Sequence, residues 1–107
     1  MTDSEIFNTP AGGFLMPPVH PGEILGEEID ARGLNAHALA LKLRVPPNRI
    51  GEIVAGKRGV SAETALRVGR YFGTGAAYWI NLQGQYDLAV AMRDFGKRVE
   101  AEVEVAA

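Results

Sequence analysis

The 107-residue sequence has no cysteine, so neither a disulfide framework nor a thiolate metal site can contribute to its fold. Its only histidines, His20 and His37, begin neither an HExxH motif nor any other ligand spacing, and no metal or cofactor is expected. No run approaches the roughly 18 apolar residues that cross a bilayer. The opening MTDSEIFNTP is acidic where a secretory signal is basic, so the expectation is a cytoplasmic chain with no membrane partner. No serine sits in a nucleophile motif, and Glu27, Glu28 and Asp30 pattern as one solvated helix face. Neither enzymatic activity nor a small-molecule substrate is expected. Strand alternation is also missing, apart from a weak trace at Val99, Val103 and Val105. The length allows one domain with a modest core.

The formal net charge of −2 argues, taken alone, against a nucleic-acid partner. Its distribution argues the other way. Residues 1 to 34 carry −5, residues 35 to 60 carry +4, and the remainder carries −1. Exposed charges more than about 10 Å apart are largely screened, so a basic middle attracts phosphate whatever the total. The acidic first segment suits a basic protein partner.

Residues 1 to 20 hold three of the six prolines, a Gly12-Gly13 pair and no helical period, which predicts a flexible arm. Pro21 opens a first helix at the position where its missing N–H is harmless. Ile24, Leu25 and Ile29 form the inner stripe of that helix, and Gly33 its stop. Asn35 caps a second helix with Ala36, Leu39, Ala40 and Leu43 inward. Val45-Pro46-Pro47 ends it, and Pro47 enters a third helix that carries Ile50, Ile53 and Val54 inward. Ser61 caps a fourth, with Ala65, Leu66, Gly69 and Phe72 inward, and Thr74 caps a fifth holding Trp79, Leu82 and Tyr86. Residues 21 to 95 form the expected domain, and 96 to 107 lose the period and read as a frayed or disordered tail. The class is all-α, five helices joined by short turns.

Two short helices joined by a tight turn, spanning 35 to 55, make a helix-turn-helix unit. Asn48, Arg49 and Glu52 fall on the outward face of the second helix, with Lys42, Arg44, Lys57 and Arg58 around it. Arginine reads guanine, asparagine reads adenine and glutamate accepts from cytosine, whereas the surrounding cations suit phosphate, with His37 a further candidate. An Arg49–Glu52 surface pair is the competing use of those side chains. Trp79, Leu82 and Tyr86 are assigned to the core or to a dimer patch.

From Pro18 to about Leu88, some two thirds of the chain, the sequence resembles the HigA family of antitoxins within the lambda-repressor-like (Xre-type) helix-turn-helix proteins. The residues that carry the likeness are HPGEIL at 20 to 25, the Leu39-Ala40 pair with Val45 and Ile50, GKRGVSAETALR at 56 to 67 and YWINLQGQYDL at 78 to 88. The resemblance implies a cytoplasmic homodimer that binds double-stranded operator DNA, represses its own operon and neutralises a HigB-like toxin, a RelE-like enzyme that cleaves mRNA. It places Pro47, Asn48, Arg49 and Glu52 where the family reads bases, and Lys57 and Arg58 where it touches the backbone. Three positions depart from the family pattern: Arg44 stands at a turn position commonly filled by glycine, Pro46 replaces a serine cap, and Ala36 replaces a phosphate-binding glutamine. A stand-alone Xre-type repressor without a toxin, or a protein-interaction module whose reading helix has decayed, are the alternatives. Gly26, Gly51, Gly69 and Gly84 lie inside expected helices at about 1 kcal/mol each, which predicts a marginal monomer stabilised by its partners.

Overall fold

The computed structural model describes residues 18–107; the expected arm at 1–20 lies outside them up to residue 17. Five helices follow in order: α1 (Pro21–Ala31), α2 (Ala36–Leu43), α3 (Arg49–Val54), α4 (Ala62–Phe72) and α5 (Ala76–Glu102). No strand occurs among the described residues, and the all-α helix-turn-helix architecture is the expected one. Residues 19–85 form one compact unit, and residues 86–107 belong to a second.

The helix ends are set by local chemistry. His20 caps α1: its Nδ1 accepts from the Gly22 N–H at 2.9 Å, and the Glu23 carboxylate accepts from the His20 N–H at 3.2 Å. Pro21 occupies the first turn, as expected. Asn35 caps α2 by accepting from the Ala38 N–H at 2.8 Å, and Ser61 caps α4 by accepting from the Thr64 N–H at 3.2 Å. Gly33 and Gly73 stop α1 and α4 with φ of 65° and 75°.

Arg44 lies in the turn after α2. This residue takes the left-handed conformation with φ 59° and ψ 44°, so the chain places an arginine where glycine is unstrained. The Val45 N–H still reaches the Ala40 carbonyl at 3.1 Å, and the Arg67 guanidinium donates to the Leu43 carbonyl at 3.0 Å. Arg44→Gly is expected to stabilise the fold by about 1 kcal/mol. The check is a higher urea midpoint at constant m-value; a lower midpoint contradicts it.

Leu25, Ile29, Leu39, Ala40, Leu43, Ile50, Ile53, Val60, Ala65, Val68 and Trp79 form the core. The Trp79 indole is fully buried and donates to the Thr74 hydroxyl at 2.8 Å. Glycine lets two pairs of elements touch. A Cβ on Gly22 would lie 1.9 Å from the Ile53 carbonyl oxygen, and one on Gly69 would lie 2.4 Å from the Gly75 carbonyl carbon.

Several boundaries differ from expectation. The third helix begins at Arg49, because Pro47 and Asn48 form a turn closed by the Arg49 N–H on the Pro46 carbonyl at 3.0 Å. The Thr74 hydroxyl accepts a hydrogen bond from the Trp79 indole N–H, and α5 begins two residues later at Ala76. The stretch from 96 is not frayed: α5 runs unbroken to Glu102, and only 103–107 leave it. Lys, Arg, Glu and Ala sustain the helix here by propensity, and Val99 continues the spacing of Leu88, Met92 and Phe95. Leu66 points outward at 64% exposure, its inward place taken by Thr64 and Val68. The glycine penalty also shrinks: Gly69 is demanded by packing and Gly26 faces Val54 at 3.4 Å, so only Gly51 and Gly84 stand in open space.

Candidate nucleic-acid interface

The short α3 is anchored by fully buried Ile50 and Ile53, which orients the remaining side chains. Pro47 and Asn48 are exposed in the turn that leads into it, and Arg49 opens its first turn half-buried. Arg49 and Glu52 do not pair. The Arg49 guanidinium instead leans toward α4, with NH1 3.4 Å from the Thr64 hydroxyl oxygen, which also accepts from the Ser61 hydroxyl at 3.1 Å. With one terminal nitrogen of the guanidinium on Thr64, the remaining donors of the fork stay available for a guanine edge.

Glu52 is engaged on the other side, where its Oε1 accepts from Arg58 Nε at 3.1 Å. Exposed ion pairs of this kind contribute about 0–1 kcal/mol, so phosphate or cytosine readily replaces the partner. The Lys57 N–H donates to the Glu52 carbonyl at 2.9 Å, and the Lys57 side chain is exposed. Lys57 and Arg58 therefore stand immediately after α3 on a loop tied back to it. The exposed His37 lies in the first turn of α2, beside its Asn35 cap. Lys42 and Arg44 are placed differently: they sit at the opposite end of α2 and line a cleft with Arg67 and Arg70. Trp79 is core, while Leu82 and Tyr86 are half-buried.

Sequence reasoning missed the residue that fixes the far end of the loop. Gln83, on α5, accepts from the Val60 N–H through Oε1 at 2.7 Å, and its amide lies about 3.0 Å from where a Cβ on Gly59 would stand. Glycine at 59 admits that amide, and the amide in turn holds the strand of loop between Arg58 and the α4 cap. Gln83→Met keeps the volume and removes the acceptor. It is expected to weaken DNA binding about tenfold through misplacement of Lys57 and Arg58, with helix content retained. Gel-shift titration beside circular dichroism checks this; unchanged affinity contradicts it.

A helix-turn-helix family profile matches residues 25–79. Virulence-associated protein I of Dichelobacter nodosus is 56% identical over 86 residues, which cover 79% of this chain and 80% of that protein. An addiction module antidote protein of the HigA family from Coxiella burnetii superposes with a TM-score of 0.82 at 43% identity, over 85% of this chain and all of that one. The chain belongs to the HigA family of helix-turn-helix proteins. Pseudomonas aeruginosa antitoxin HigA, solved with the higBA promoter, superposes with a TM-score of 0.81 at 44% identity, over 84% of this chain and 99% of that protein. In this HigA-family chain α2 and α3 form the helix-turn-helix pair on an all-α frame, with Arg44 in the left-handed conformation at the turn between them.

Proposed function

We propose that the chain is a DNA-binding antitoxin that recognises the operator of its own operon as a homodimer and represses it, and that it neutralises a RelE-like mRNA-cleaving toxin of the HigB type. The observation that carries the DNA reading is the face built by Pro47, Asn48, Arg49 and Glu52, flanked by Lys57 and Arg58 on a loop anchored at both ends. Base edges fall to Pro47, Asn48, Arg49 and Glu52, and phosphates to His37, Lys57 and Arg58. The promoter complex of the Pseudomonas relative supports the same partner here.

One reading helix covers few base pairs, and two placed about 34 Å apart span adjacent major grooves, which motivates the dimer. An apolar stripe on the C-terminal half of α5, with Leu88 38%, Phe95 48% and Val99 52% exposed beside Met92, supports self-association at that face rather than at buried Trp79. Toxin neutralisation is supported by the antidote relatives and by the exposed carboxylates Glu23, Glu27 and Asp30 on α1, which suit a basic ribonuclease.

Co-expression with the adjacent gene tests both halves. The expected result is a co-purifying complex, relief of growth arrest, and sequence-specific retention of the upstream DNA. Specific DNA binding with no toxic neighbour favours the stand-alone repressor, and loss of both properties overturns the proposal.

A further inference from the structure

A second concave surface lies at the opposite end of α2 from His37. Lys42, Leu43, Arg44, Arg67, Arg70 and Tyr71 line a cleft of about 400 Å³, within the ordinary range of small-ligand sites. Four of the six are cations. Arg67 is committed to the Leu43 carbonyl and, at 3.5 Å, to Glu63. Among the described residues, Lys42, Arg44 and Arg70 have neither an ion pair nor a side-chain hydrogen bond, and all three are exposed. Exposed cations that share one cleft and hold no ion pair are free to meet an anion, which would gain charge-assisted hydrogen bonds from several of them.

The backbone makes a separate point. Arg44 is the only non-glycine residue with positive φ among the described residues, at the turn position where glycine would remove the strain. A residue kept in a sparsely populated conformation, with its charge delivered to a cleft, points to a role for that side chain. Tyr71, 39% exposed, places an aromatic ring at the rim, edge-on to Phe72 at 5.1 Å between centroids. Guanidinium forks match phosphate oxygens, and an exposed ring offers a face to a base or sugar.

We infer that the cleft bounded by Lys42, Arg44, Arg67 and Arg70 is a phosphate-binding site, separate from the base-reading face. The phosphate comes either from duplex backbone beyond the half-site or from a free nucleotide. The inference stands apart from the repressor reading, because a nucleotide can bind the cleft of a chain that ignores its own promoter.

The test uses the full chain, an Arg44→Gln/Arg70→Gln variant, and a Lys97→Gln/Arg98→Gln control that removes the same charge from α5. Two probes are titrated into each: ATP without divalent metal, and the chain's own promoter duplex over a series of salt concentrations. With backbone as the source, the slope of log affinity against log salt shrinks by about 1.8 in the cleft variant, about 0.9 for each cation lost, and stays as in the wild type in the control. With a free nucleotide as the source, ATP binds the wild type and weakens at least about tenfold in the cleft variant alone. Either result supports the site. Wild-type slope and ATP affinity in the cleft variant, or equal losses in the control, overturn it.

Discussion

Gly22→Ala is expected to destabilise the domain by about 3 kcal/mol or more, a large share of the roughly 5–15 kcal/mol that holds a domain of this size together. The added methyl would lie 1.9 Å from the Ile53 carbonyl oxygen and 2.8 Å from its carbon, and neither is the end of a flexible side chain. The clash can be relieved only by moving α1 away from the C-terminal turn of α3. That movement opens the contact between Leu25 and Ile29 on one side and Ile50 and Ile53 on the other, all of which are buried. His20 is disturbed as well, since its Nδ1 lies 3.0 Å from the same point and is the α1 cap. Gly84→Ala is the matched control: nothing lies within 4 Å of its Cβ position, so it should stabilise the helix by about 1 kcal/mol. Urea unfolding of both variants measures the contrast. A Gly22→Ala protein within about 0.5 kcal/mol of the wild type would show that the α1–α3 contact is not tight.

Arg49→Ala should cost about 1–3 kcal/mol of operator binding while leaving affinity for random duplex nearly intact. The distinction follows from placement. Arg49 stands in the first turn of α3 with one guanidinium nitrogen on the Thr64 hydroxyl, whereas Lys57 and Arg58 follow on the loop, where the proposed contact is to phosphate. Removing Arg49 also frees one acceptor lone pair on buried Thr64, so a stability loss of up to about 1 kcal/mol accompanies it. Parallel titrations of promoter and scrambled duplexes at one salt concentration separate the two effects. Equal losses on both would reassign Arg49 to the backbone.

What was legible in the sequence was mostly local. Asn35, Ser61, Gly33 and Gly73 act within four residues of themselves, and each marks the helix end that residue chemistry predicts. A stripe through Ala65, Gly69 and Phe72 admits either Leu66 or Val68, and only packing shows that Val68 completes it while Leu66 faces outward. Histidine is an uncommon cap, and the role of His20 depends on Glu23 closing the box. The contacts that build the site are long-range. Gln83 reaches Val60 across 23 residues, and Arg67 reaches Leu43 across 24; both stand in segments that carry the family likeness, yet neither segment says which backbone group its side chain meets. Arg44 was recognisable as an exception, yet only the backbone shows that the strain is accepted rather than avoided.

The base-reading assignment is most directly tested by the amide spectrum of the isotope-labelled chain titrated with its own promoter duplex. The expected perturbations concentrate at 35–37, 48–52 and 57–60, with the core amides of α1 unmoved. Shifts concentrated elsewhere, or identical shifts with a scrambled duplex, would contradict it.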